Sequence, residues 1–171
     1  MKAGTFGIRV WRFASILGLV FSLINSYISF PGEVGVLFDE AGDPVQFIGR
    51  ETIFYIVVAV FLVNYILLNT MARLFPRIPT EQVPVPNRAV WATHRDQLNE
   101  IVINWFYALM AAINTVVALG VLVLSMLNRD QGLVDVWSFN WLLPLCAIIF
   151  GSVIVSLPIR LMMKPSPVDN D

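Results

Sequence analysis

Long runs without a single charged side chain leave this sequence very few ways to fold. Phe13 to Phe30, Thr52 to Ala72, Ile101 to Leu127 and Trp137 to Ile159 contain no Lys, Arg, Asp or Glu. Crossing a bilayer core of about 30 Å takes roughly 20 residues of helix; the last three runs meet that length and the first sits at its short end. Backbone amides in hydrocarbon have no water to bond, so each run must satisfy its own N–H and C=O groups as a helix. The expected fold class is an all-α membrane protein with four transmembrane helices. Composition agrees, because 57% hydrophobic and only 13% charged residues cannot build a water-soluble surface. Four spans in 171 residues leave room for one membrane domain, 1–164, with 165–171 as a flexible cytoplasmic tail.

The basic residues orient the spans. With the N-terminus inside, Lys2, Arg9, Arg12, Arg73, Arg77, Arg88, Arg95, Arg160 and Lys164 all fall on the inner side, and only Arg50 and Arg129 fall outside. The positive-inside rule therefore predicts both termini in the cytoplasm. Trp11, Trp91, Trp105, Trp137 and Trp141 lie near span ends, where an indole keeps its ring apolar and its N–H wet. The first run is too long for a signal-peptide core, and Tyr27 and Ile28 stand where small residues would flank a cleavage site, so it is read as a retained anchor. A lone Cys146 allows no internal disulfide and no multi-cysteine metal site.

The loops carry the remaining specificity. In the outer loop Val34, Val36 and Phe38 alternate, Val45 and Phe47 do so again, and Glu40-Ala-Gly-Asp-Pro44 between them is turn chemistry. A short outer-surface hairpin between helices 1 and 2 is expected. Val34, Val36, Phe38 and Phe47 would form its partner-binding face, with Arg50 and Glu51 fixing it to the head of the second span. Asp39, Glu40 and Asp43 lack EF-hand spacing and read as a solvated acidic turn. In the inner loop Pro76, Pro79, Pro84 and Pro86 predict an extended chain along the headgroups. Thr93 and Asp96 are expected to cap a helix running from His94 to Leu127. His94, the only histidine, has no second imidazole with which to share a metal.

Phe30-Pro31, Val34-Gly-Val-Leu-Phe-Asp39, Gly42-Asp-Pro44 and Gly49-Arg50 resemble the outer-loop signature of a bacterial integral-membrane family known as a domain of unknown function. That domain also forms the N-terminal part of SdpI-type immunity proteins. The run Val83-Pro-Val-Pro-Asn-Arg-Ala-Val-Trp91 is similar to the family's second signature, here Pro86, Asn87, Arg88 and Trp91. The resemblance covers about residues 30 to 127. It implies a protein of the inner membrane of a bacterium without an established catalytic residue, with immunity against a secreted peptide toxin in some longer members.

Within the spans, Asn25, Asn64, Asn69, Asn104 and Asn114 form no carboxylate pair, Ser-His-Asp set or Lys relay. Asn64 and Asn114, each near the middle of its run, are expected to hydrogen-bond across helices. Pro144 is expected to kink the fourth helix, and Gly151-Ser152 to permit close helix approach. The function expected is a non-catalytic integral membrane protein that binds a protein or peptide partner, immunity-like or as an accessory subunit. A subunit of an oligomeric transporter or channel is the alternative. Neither cofactor, metal nor nucleic acid is implied; the partners are the lipid bilayer and a protein, a peptide or a second copy of the chain.

Overall fold

The computed structural model describes residues 3–129, 136–163 and 165. Residues 166–171 of the expected tail and residues 130–135 after Arg129 lie outside the described residues. Four helices are long and apolar enough to cross a membrane: α1, Ala3–Ser29; α2, Arg50–Leu74; α4, Arg95–Arg129; and α5, Leu142–Met162. A short α3, Arg88–Thr93, precedes α4. Strands β1, Glu33–Phe38, and β2, Pro44–Gly49, pair antiparallel between α1 and α2. The bundle thus has a hairpin end and, opposite it, a loop end built from residues 75–94.

Helix α4 is the axis. Nearly half of its apolar stretch is buried, whereas in α5 Val153 alone among the described residues is. Helix α1 runs parallel to it, as Thr5 with Glu100, Trp11 with Thr115 and Ser26 with Val121 show. Lipid gives helices no hydrophobic reason to associate, so close packing relies on small side chains. Ser15, Ser22 and Ser26 on α1 are buried, as are Ala108, Ala111, Ala112, Ala118 and Ser125 on α4. Ser22 gives its hydroxyl to Gly18 O at 2.8 Å and Ser26 gives its own across the seam to Val121 O at 3.3 Å.

At the hairpin end Val34 has no exposed surface and packs with Leu19, Phe30, Ile53, Val57, Ala118 and Val121. The hairpin is clamped to α4 by Asn128. Its Oδ1 accepts from Gly35 N at 2.7 Å, and its Nδ2 donates to Gly35 O at 3.0 Å and Leu124 O at 2.9 Å. Gly35 is obligatory, since a Cβ there would lie 2.7 Å from Pro44 Cβ. The acidic turn closes on itself, Asp39 Oδ1 accepting from Ala41 N and Asp43 N at 2.9 Å each, with Gly42 at φ +89° where L side chains are strained.

At the loop end Trp91 is buried and packs with Leu98 and Val102. Its Nε1 donates to Leu161 O at 3.3 Å, a carbonyl in the last turn of α5 that has no helical partner of its own. Arg95 holds the segment before α3, donating to Phe75 O at 3.2 Å and Ile78 O at 2.7 Å with its guanidinium over the Phe75 ring.

Several expectations need correction. Helix α1 begins ten residues before Phe13, taking Arg9 and Arg12 into the helix. The proline-rich loop is not extended: 3-10 turns form at Phe75–Arg77 and Thr80–Gln82, because proline fits the first positions of a turn that needs no N–H from it. Thr93 does not cap α4; it ends α3 and gives its hydroxyl to Val90 O at 2.8 Å. Pro144 lies in the first turn of α5, where a missing N–H costs nothing, and Pro158 is the proline inside that helix. Apart from its own helix, no heavy atom of the described residues lies within 4 Å of a Cβ built at Gly151, so no neighbouring helix makes a close approach there among them. Trp11 and Trp105 turn into the bundle, to Thr115 Oγ1 at 3.2 Å and Val153 O at 2.8 Å.

Candidate functional site

The residues expected to face a partner are divided by the hairpin's irregular register. Glu33, Val34 and Gly35 oppose Gly49, Ile48 and Phe47, but Leu37 opposes Gln46 and Phe38 opposes Pro44. One extra residue on each strand, Val36 and then Val45, breaks the alternation, and a bulge re-aims the side chains around it. Val34 is sealed into the bundle and Val36 packs against the same core. Phe38 is half-buried, and Phe47 is exposed together with Leu37 and Val45. Arg50 lies over the Tyr27 ring at 4.9 Å and donates to Phe30 O, while Glu51 is exposed. These six residues therefore do not share one open face. Of the inner-loop group, Pro86 and Arg88 are exposed, Asn87 takes the left-handed conformation that starts α3, and Trp91 is core.

Asn64 and Asn114 meet. Asn64 Nδ2 donates to Asn114 Oδ1 at 2.9 Å and to Met110 O at 3.2 Å. Both residues are buried, and Asn64 Oδ1 and Asn114 Nδ2 have no partner among the described residues. His94 Nδ1 rests against Val90 O at 3.1 Å and Thr93 Oγ1 at 3.0 Å. Among the described residues no three His, Cys, Asp or Glu side chains are close enough to hold a metal.

A sizeable concavity lies elsewhere, at the loop end, where α1 and α5 flank α4. Its volume is about 760 Å³, within the range of small-molecule and peptide-side-chain pockets. Ile8, Trp105, Ala108, Val155, Leu157 and Ile159 supply apolar wall. Ala108, Ala112, Val153, Trp11, Trp105 and Ile149 pack together at its inner limit. Polar groups converge on the floor: Thr5 gives its hydroxyl to Glu100 Oε1 at 2.8 Å and accepts from Asn104 Nδ2 at 3.1 Å.

The hydroxyls set what this cleft offers. Ser152 gives its hydrogen to Ile149 O at 2.9 Å and Ser156 to Val153 O at 2.7 Å, both within α5. Thr5 has likewise given its hydrogen to Glu100. A hydroxyl has one hydrogen and two lone pairs, so these three present acceptor oxygen to the cleft. Glu100 adds a carboxylate, and Gln97, Asn104 and Arg160 in the same lining carry N–H groups. The cleft suits a mostly apolar body that also carries polar groups. Sequence reading missed it; the sole signals were polar residues one turn apart, Glu100 with Asn104 and Ser152 with Ser156.

Fold and cleft together define a multi-pass helical membrane protein with a lateral, mostly apolar recess that carries a few polar groups. Compared with known proteins, the chain matches no family model, no curated protein and no solved structure.

Proposed function

We propose that this is a non-catalytic integral membrane protein that holds a mostly apolar segment of a peptide or protein partner in the cleft between α1, α4 and α5. The observation that carries the reading is the pairing of apolar walls with polar groups of both kinds: the hydroxyls of Thr5, Ser152 and Ser156, whose hydrogens are committed within the chain, and the N–H-bearing Gln97, Asn104 and Arg160. A bare acyl chain offers no polar group to such a lining. Peptide amides and polar side chains do, and desolvated polar groups left unmatched are costly. In this reading the orientation follows the basic residues, with the loop end in the cytoplasm of a bacterium. An immunity-like role, in which the partner is a peptide toxin, rests on the two loop signatures.

The test is site-specific photocrosslinking in cells, from Val155 in the cleft and from Leu143, which is exposed at the opposite end of α5. A discrete protein or peptide adduct is expected from Val155 and not from Leu143, and Ser156→Trp, which fills the recess, should remove it. Equal adducts from both positions, or none from Val155, would refute the reading.

A further inference from the structure

The flank of α1 turned toward α2 presents a different chemistry. Arg12 is half-buried there. Its Nη2 donates to Asn69 Oδ1 at 3.0 Å, and its guanidinium lies 4.3 Å from the centroid of the Tyr107 ring and 5.9 Å from that of Tyr65. Asn69 is itself held in place, its Nδ2 donating to Tyr65 O at 2.8 Å. The amide oxygen and two ring faces fix the guanidinium plane without neutralising its charge.

Depth makes this costly. Asn64 and Asn114, both near the middle of their charge-free runs, are hydrogen-bonded to each other. Asn69 lies five residues and Tyr107 seven residues from that pair, which at 1.5 Å per residue puts the cation about 8 to 10 Å toward the loop end. Half a hydrocarbon core is about 15 Å, so the charge sits inside it. A guanidinium has five N–H donors, and Asn69 takes one. An intramembrane arginine is tolerated when headgroups or water reach it. One turn beyond Asn69 toward the loop end stands Arg73, exposed, on the side from which a headgroup would enter.

We propose that the groove between α1 and α2 is a phospholipid site. The lipid's phosphodiester pairs with the guanidinium of Arg12, drawn inward from the leaflet at the loop end. Its acyl chains cover the exposed apolar side chains of Phe13 and Ile66, and Arg73 favours an anionic headgroup. Planar, forked donors suit a phosphate better than a lysine's point charge does. The same chemistry would recognise free phosphate, but only a lipid brings chains to cover the groove walls.

The test reconstitutes the full chain in vesicles of phosphatidylcholine alone or mixed with phosphatidylglycerol, extracts it in mild detergent and counts retained phospholipid by native mass spectrometry. Wild type should retain lipid, with phosphatidylglycerol over phosphatidylcholine. Arg12→Gln should lower retention about tenfold, a difference of about 1.4 kcal/mol, Arg12→Lys should fall between, and Arg129→Gln, at the hairpin end of α4, should leave it unchanged. If Arg12→Gln does not fold, Arg12→Lys and Asn69→Ala carry the same comparison. Equal retention in wild type and the Arg12 variants, an equal loss in Arg129→Gln, or displacement of the lipid by inorganic phosphate would each overturn the proposal.

Discussion

Replacing Asn64 and Asn114 by Leu, singly and together, tests how the centre of the bundle is held. Asn64→Leu removes two hydrogen bonds, to Asn114 Oδ1 and to Met110 O, and strands the Asn114 amide. Asn114→Leu removes one and leaves Asn64 its bond to Met110 O. Interhelical bonds in membrane proteins average about 0.6 kcal/mol and reach about 1.7, while a stranded buried amide costs about 1 to 3 kcal/mol. Asn64→Leu should therefore cost about 2 to 3 kcal/mol and Asn114→Leu about 1 to 2. The double variant strands nothing, so it should cost no more than Asn64→Leu alone, giving a coupling of about 1 kcal/mol or more. The larger Leu side chain adds strain to each arm, most of which cancels in the cycle. Reversible unfolding in mixed micelles measures all four proteins. Losses that add to within about 0.3 kcal/mol, or an Asn114→Leu variant weaker than Asn64→Leu, would refute the reasoning.

Asn128→Ala should free the hairpin from α4, raising amide exchange across 33–49 about tenfold for the loss of roughly 1 to 2 kcal/mol of hydrogen bonding, with the spans intact; unchanged exchange would show that the clamp carries no weight. In a Cys146→Ser background, cysteines at the exposed positions Ala41 and Ala89 should label from opposite sides of intact cells. Reaction of both with one impermeant reagent would overturn the four-span topology.

The spans were legible because nothing else accommodates such long charge-free runs. Where α1 begins was not. A run that stops at the first charge must stop at Phe13, whereas the helix continues through Arg12 because Asn69 and Tyr107, distant in sequence, receive its guanidinium. The hairpin could be read from its alternation and its Glu40 to Pro44 turn. Which face it shows could not, since no local pattern marks the bulges at Val36 and Val45, and Gly35 docks against Asn128, distant in sequence. Trp91 reads as an interfacial indole until the end of α5 is known to lie above it and to offer Leu161 O. The cleft is a property of three helices at once, and no local pattern encodes the space left between them.

The parallel pairing of α1 with α4 bears on how the chain is made. The serine seam of α1 finds its partner about 95 residues later, where Ser26 meets Val121 O, and Asn64 of α2 must also wait for α4. During synthesis the first two helices enter the bilayer before the helix against which they pack exists. For that interval Asn64 and the fixed charge of Arg12 must be tolerated in lipid with few protein neighbours. Arrival of α4 is then the event that commits the bundle, and a nascent chain stalled before it is the species that membrane quality control would encounter.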